Sequence, residues 1–365
     1  MDPLLKKVKR YEKSGNYKGI IDLYQLVIND TDPSNKENVG KCQLNIARAY
    51  NKLGNYDTAE NYFKRAYDNA PSGEILYEMC FAQLNQGNHR IVDGFNNYGS
   101  RWDIKEMGLN KHHIDTKNLT HIQDWKFIKD KSIMVVSEQG FGDQLLFSRV
   151  LAQAIPVAYK IGYCSSKEML PLFQHNYPEI EYMVNEDFVK DEAAEAIYDE
   201  YDYIMTIGDL FRAYVLEFGE LPPLVKLESD YVMKPEENSI GYVYSAGNQG
   251  DNGHLRTIPE NTIKFLSKHN YIYNFQMGMK TTLGHPVGQH ITNFMDTARL
   301  LDGVSHVVTV DTSFAHLALA MGKPTMIVHN KFLDWRWKCD LYPEAKLLSV
   351  RDPKFQEKMK LFVGS

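Results

Sequence analysis

HVVTVDTSFAHLALAMGKPTMIVH, residues 306–329, is the stretch whose reading decides the fold. His306–Val310 is a short run rich in β-branched side chains, and it breaks at Asp311-Thr312. A segment of helical character containing His316–Gly322 follows, then a second short apolar run, Pro324–His329. Strand, turn, helix and strand in that order form a βαβ unit, whose two strands lie parallel in one sheet. Working outward, the same alternation recurs. SIMVVS (132–137), KIGYCS (160–165), IEYMV (180–184) and YDYIMTIG (201–208) make one set of strands. IGYVYS (240–245), YIYNFQM (271–277), HVVTV (306–310) and PTMIVH (324–329) make a second. LPPLVKLESDYVMKPEEN (221–238), proline-bearing and polar at its end, is the expected linker between them. The pattern predicts two doubly wound domains facing across a cleft, with ligand held at the carboxyl ends of their strands. The final segment VRDPKFQEKMKLFVG has helical potential.

The first hundred residues obey a different rule. Gly15-Asn16-Tyr17, Gly54-Asn55-Tyr56 and Gly87-Asn88-His89 are each flanked by amphipathic segments, and the turns lie 39 and 33 residues apart. Around the middle turn, Ala47, Tyr50 and Leu53 precede the glycine, and Ala59, Tyr62, Phe63 and Ala66 come after it, at helical steps. Pro71 closes the unit, and the longer first interval fits a polar linker, TDPSNKEN. The pattern resembles the tetratricopeptide repeat, of period about 34 residues. Such an array either binds a protein partner or caps the neighbouring domain; both readings stand. Asp30-Thr31-Asp32 has the form of a metal-binding DxD, but it lies beside Pro33 in the linker.

Composition bounds the rest. Of 365 residues, 43% are hydrophobic and 24% charged, which supplies real cores and excludes wholesale disorder. Lys and Arg number 41 against 47 Asp and Glu, so the net charge of −6 lacks the broad positive field of a general nucleic-acid binder. No apolar run approaches a membrane span, and the start MDPLLKKVKRYEKSG does not read as a signal peptide. Cys42, Cys80, Cys164 and Cys339 form no CxxC pair, so neither a disulfide framework nor a zinc knuckle is expected. A cytoplasmic location is the expectation.

Three strand-to-helix junctions carry candidate chemistry. Glu138-Gln139-Gly140-Phe141-Gly142-Asp143-Gln144 comes after the first strand and opens the helix QLLFSRVLAQAI. Backbone N–H groups at such a junction suit anions, and Asp143 is either a helix-capping carboxylate or a general base. Leu145 stands where a dinucleotide fingerprint would place its third glycine, which disfavours a dehydrogenase. Asp311-Thr312-Ser313 opens a second helix and offers donors to a diphosphate, with His316 one turn further on. Ser245-Ala246-Gly247-Asn248 allows close approach of a ligand, and Arg256, before Pro259, could fork onto phosphate oxygens. Gln276-Met277-Gly278 ends a second-set strand, a place for a nucleoside. Asp334-Trp335-Arg336-Trp337 either stacks on a base or sugar or packs between domains.

Taken together and in order, these motifs resemble the heptosyltransferase-like glycosyltransferases, in the branch with tetratricopeptide repeats fused in front. The matching segments are FNNYGSRW (95–102), EQGFGDQLLFSRVL (138–151), YSAGN (244–248), RTIP (256–259), NFMDTARLLDGVSHVVTVDTSFAHLALAMGKPT (293–325) and DWRW (334–337). The sequence departs from the pattern at Tyr244, where the family has Trp, and after Gly250. The resemblance implies an α plus α/β chain: repeats in 1–102, an acceptor-side Rossmann-like domain in 103–235, and a nucleotide-sugar-binding one in 236–365. It implies inverting transfer to a hydroxyl, with Asp143 as base. Donor contacts would come from Arg256, Asp311, Thr312, Ser313, His316, Gly247, Asn248 and Met277. Gln139, Gly140, Gly142 and Gln144 would line the acceptor side. No metal or other cofactor is expected, and the His112-His113 pair has no third ligand at a suitable spacing. The expected partners are a nucleotide-sugar and a glycan, protein or modified-DNA acceptor. The rival reading is a repeat-containing scaffold that has lost activity.

Overall fold

The computed structural model describes residues 3–104, 124–185, 199–231, 233–246, 257–268, 271–278, 283–330 and 333–364. The chain forms two compact units. One comprises Met1–Gly108 with Val215–Leu221 and Lys338–Asp340; the other comprises Leu109–Tyr214, Pro222–Trp337 and Leu341–Ser365.

The first unit is built from α1 (Pro3–Ser14), α2 (Tyr17–Asp30), α3 (Lys36–Leu53), α4 (Tyr56–Asn69), α5 (Gly73–Leu84) and α6 (Ile91–Tyr98). The first two glycine turns close alike. Gly15 and Gly54 sit at φ +68° and +80°. The next N–H reaches back five residues, Asn16 to the Tyr11 carbonyl at 2.9 Å and Asn55 to that of Tyr50 at 3.0 Å, as a left-handed cap requires. The third turn differs: Gly87 (φ +96°) leads into a short 3-10 turn, Asn88–Arg90, before α6 begins. Ala47, Ala59, Ala66 and Phe63 are fully buried, so the small side chains let α3 and α4 close around one ring. The linker is shorter than expected, because Lys36, Glu37 and Asn38 already belong to α3, capped by the Asn35 side chain at 3.2 Å. Asp32 accepts the Ser34 N–H at 2.9 Å, a turn-forming contact.

Among the described residues of this unit one acid is buried. Glu60, 3% exposed, receives Gln83 at 3.2 Å, Gln86 at 3.0 Å, Lys64 at 2.8 Å and the Arg90 guanidinium. Burial alone would raise its pKa; the donors outweigh that and bring it down to about 2.

The second unit holds two parallel sheets. The first contains β1 (Ser132–Val136), β2 (Lys160–Ser165), β3 (Glu181–Val184) and β4 (Tyr203–Thr206), in the order β3-β2-β1-β4. The second contains β5 (Glu236–Val243), β6 (Tyr271–Asn274), β7 (Val304–Thr309), β8 (Thr325–His329) and β9 (Lys346–Ser349), in the order β6-β5-β7-β8-β9. Every pairing is parallel. Ile133, Val135, Val307 and Val308 are wholly buried, which is why these strands read as continuous apolar runs and not as alternating ones. All eight expected strands are present, and β9 is an unanticipated ninth, a short edge strand with Lys346 and Leu347 exposed. The helix expected after β1 breaks into α7 (Phe141–Phe147) and α8 (Arg149–Ala154) at Ser148, whose hydroxyl donates to the Leu145 carbonyl at 3.0 Å. Further helices are α9 (Leu170–Asn176), α10 (Ile207–Phe218), α11 (Glu260–Leu266), α12 (Phe294–Asp302), α13 (Ser313–Ala320) and α14 (Phe355–Val363).

The expected linker is not slack. Leu227 N–H donates to the Ala320 carbonyl at 2.9 Å and Glu228 N–H to Asn176 Oδ1 at 2.7 Å. Its last residues, Glu236–Asn238, are already strand β5. This fastening is one physical reason that both sheets share a compact unit.

Candidate active site

In each sheet the strand order reverses beside one strand: between β1 and β4 in the first, between β5 and β7 in the second. Crevices outside the carboxyl ends of strands at such points are where open α/β sheets bind ligands. The loops found there are those after β1, β5 and β7, each carrying one of the sequence motifs.

The loop after β1 turns on Gln139, at φ +64°, and exposes Gly140 as the N-cap residue of α7. Helix α7 packs against α13, and Gly142 is the reason they approach so closely. A Cβ there would lie 3.2 Å from His316 Cδ2 and 3.8 Å from Ser313 Cα. Two amino-terminal helix turns, one from each sheet, therefore meet at Gly142, and Asp143 stands next to the contact. Its carboxylate makes no helix-capping bond. Instead Oδ1 accepts from Arg336 Nε at 3.2 Å and from Arg336 Nη2.

Arg336 lies in the 3-10 turn Trp335–Trp337. Asp334 Oδ1 accepts its N–H at 3.0 Å and its Nη1 at 2.8 Å, and the guanidinium sits 5.0 Å from the Trp335 ring centre. Burial opposes the charge, but Asp143, Asp334 and Asp311 together hold the pKa well above the usual arginine value. Sequence reasoning assigned this arginine no contact with Asp143. The DWRW segment was the signal, but nothing in it names a partner 193 positions away.

Helix α13 opens at Thr312, an extended N-cap whose hydroxyl makes no capping bond and turns back to the Val310 carbonyl at 3.3 Å. Ser313 faces α7 through the Gly142 contact. His316 is expected on the donor side; the structure places it 2% exposed, stacked on Trp337 with centroids 4.6 Å apart and Nδ1 3.0 Å from the Tyr342 hydroxyl. Burial, then the charges of Arg336 and Arg149, push its pKa well below the ordinary value, so the ring is neutral. Arg149, also buried, donates to the carbonyls of Leu146 at 3.1 Å and Leu341 at 3.0 Å and lies 4.9 Å from the Tyr342 ring centre.

Gln144, expected on the acceptor side, is buried and accepts from Ser165 at 2.9 Å and Ser166 at 3.3 Å, which ties α7 to the end of β2. After β5, Ser245 N–H donates to Gln276 Oε1 at 3.1 Å, and Ile258 N–H to the Tyr244 carbonyl at 2.7 Å. These bonds gather the β5 and β6 loops with the start of α11, and leave Met277 exposed beside Gly278 (φ +69°). Gly247, Asn248 and Arg256 lie outside the described residues, as do His112 and His113. Among the described residues no group of three or more His, Cys, Asp or Glu is placed to hold a metal ion, and no helix is long and apolar enough to cross a membrane.

No family model matches the chain. Protein FlbA of Caulobacter vibrioides is 28% identical over 182 residues, 46% of this chain, and the match spans only 30% of that protein's length. Among solved structures, the chain is similar to E. coli ADP-heptose LPS heptosyltransferase II, with TM-score 0.48 and 14% identity over 64% of this chain and 98% of that one. It is similar to a family 9 glycosyl transferase from Veillonella parvula, with TM-score 0.49 and 13% identity over 67% and 91%. A Thermobaculum terrenum O-GlcNAc transferase aligns over 99% of this chain and 89% of its own at TM-score 0.30 and 11% identity.

Proposed function

We propose that this protein is an inverting glycosyltransferase that moves a sugar from a nucleoside-diphosphate donor to a hydroxyl on a glycan, a protein or modified DNA. The observation that carries the reading is the meeting of α7 and α13 at Gly142, which brings the helix turn bearing Asp143 against the opening of a helix that no side chain caps. The residue types suit the chemistry. Asp143 accepts the proton of the acceptor hydroxyl, a general-base contribution of about 10²–10⁴-fold. The oxygen attacks the anomeric carbon from the face opposite the leaving group, and the bond to the diphosphate breaks with inversion. The amino-terminal end of α13, at Thr312–Ser313, faces the charge that grows on the diphosphate and serves where a metal would otherwise be needed, and the positive charge of Arg256 is the second contribution the sequence offers to that role. Residues 236–365 hold the donor and 103–235 the acceptor. The six amino-terminal helices, residues 1–102, are tetratricopeptide repeats that cap the enzyme or receive a protein partner.

Thermal denaturation in the presence of UDP-, GDP-, ADP- and TDP-sugars tests donor binding, since a ligand of the folded state raises the melting temperature. Asp143→Ala keeps that stabilisation while nucleoside-diphosphate release falls by about 10²–10⁴-fold. A chelator leaves release by the native protein unchanged. Indifference to all four donors returns the scaffold reading, and full turnover in Asp143→Ala removes the base.

A further inference from the structure

We infer that Arg336 is the positioning residue for the Asp143 carboxylate, which makes the turn at 334–337 part of the transfer machinery. The inference rests on the base role proposed for Asp143 and deepens it.

The geometry is one-sided. Both Arg336 donors, Nε and Nη2, fall on the same oxygen, Oδ1. Among the described residues nothing donates to Oδ2. One oxygen is pinned and the other is left for a proton. Arg336 is itself fixed without help from Asp143. The Asp334 carboxylate takes both its N–H and Nη1, and the Trp335 face lies against the guanidinium. The turn is anchored in its own right, because Trp337 stacks on His316 and His316 is tied to Tyr342. A guanidinium held in this way arrives at the carboxylate already oriented, and little freedom is lost when the pair forms.

In the transfer step the acceptor O–H bond breaks and its proton goes to Oδ2. The acceptor oxygen forms its bond to the anomeric carbon as the carbon–oxygen bond to the diphosphate breaks, and that electron pair leaves with the nucleoside diphosphate. Arg336 exchanges no proton and touches no substrate. It holds the plane of the carboxylate, so that the lone pair on Oδ2 points at the hydroxyl. Asp334 holds Arg336.

Nucleoside-diphosphate release from the four sugar donors, with glycoside and hydroxyl-peptide acceptors, is measured for native protein, Asp143→Asn, Arg336→Lys, Arg336→Met and the double variant Asp143→Asn/Arg336→Met. Arg336→Met is expected to lower kcat by about 100-fold, the effect of a misplaced catalytic group, with donor KM unchanged. Arg336→Lys recovers part of the loss, and the double variant is no slower than Asp143→Asn alone, because the arginine acts only through the aspartate. Should Arg336→Met not fold, Asp334→Asn carries the test with a smaller fall in kcat at unchanged KM. Losses that multiply in the double variant, or a raised KM with kcat intact, overturn the positioning role. Loss in Asp143→Asn with native turnover in Arg336→Met sinks this inference alone. Absence of release by the native protein from every donor sinks the transferase reading together with it.

Discussion

The helical unit and the site between the two sheets are assembled on opposite principles. In the helical unit the defining contacts are local: Asn16 to Tyr11, Asn55 to Tyr50, and a buried ring, Phe63, among alanines from the neighbouring turn. At the site, the contacts that matter join Asp143 to Arg336, Gly142 to His316 and His316 to Trp337, and the first two of these span more than a hundred positions of sequence. Local contacts are written in spacing, so a reader of the sequence can find them. Distant ones are written only in topology. The helical unit should therefore tolerate nothing large at its alanine-and-ring core yet be indifferent to chemistry, whereas the site should lose turnover through changes that hardly alter stability.

The largest test of that contrast in stability is Phe63→Ala, which empties the wholly buried centre of the first unit. It is expected to cost about 3–5 kcal/mol in chemical denaturation, as large-to-small core changes do. The surviving folded fraction should keep its donor-induced thermal shift. Loss of donor binding at native fold content would break the comparison. Next comes Gly142→Val, which drives a branched side chain into the His316 ring, where even a Cβ sits at 3.2 Å. Overpacking of this kind costs about 1–3 kcal/mol. Because the strain falls between α7 and α13, kcat should drop further than the change in melting temperature would suggest.

A third test separates electrostatics in the helical unit from those of the site. Glu60 has a folded pKa of about 2 against an ordinary 4.5, so its ionised form stabilises the fold fully above pH 4.5. That contribution is lost as pH falls toward 2. Melting curves across this window should be steeper for the native protein than for Glu60→Gln, and Glu60→Gln should be the less stable of the two at pH 7. Parallel curves would show that the donors around Glu60 do not favour its charged form.

Much of the architecture was legible. Both strand sets, the Gly-Asn turns and the opening of α7 and α13 are local patterns, and each is where the residues predicted. The ninth strand was missed because β9 is four residues long and pairs on one edge only, so its burial signal is weak. At the site, Asp143, Gly142 and Ser313 were readable as strand-to-helix junctions. What those junctions touch was not. His316 looked donor-facing from its place one turn after Thr312, yet its partners, Trp337 and Tyr342, come from the segment beyond β8. Gln144 looked cleft-facing, yet the hydroxyls of Ser165 and Ser166 claim its carbonyl. Arg336 was visible as a basic residue among tryptophans, and only the fold supplies its aspartate.

The fastening of residues 227 and 228 has a mechanical corollary. Two adjacent peptide units grip the last residue of α9 on one side and the last residue of α13 on the other. Two neighbouring residues of one chain segment thus tie the carboxyl ends of two helices, α9 from the first sheet and α13 from the second, whose opposite end carries Ser313.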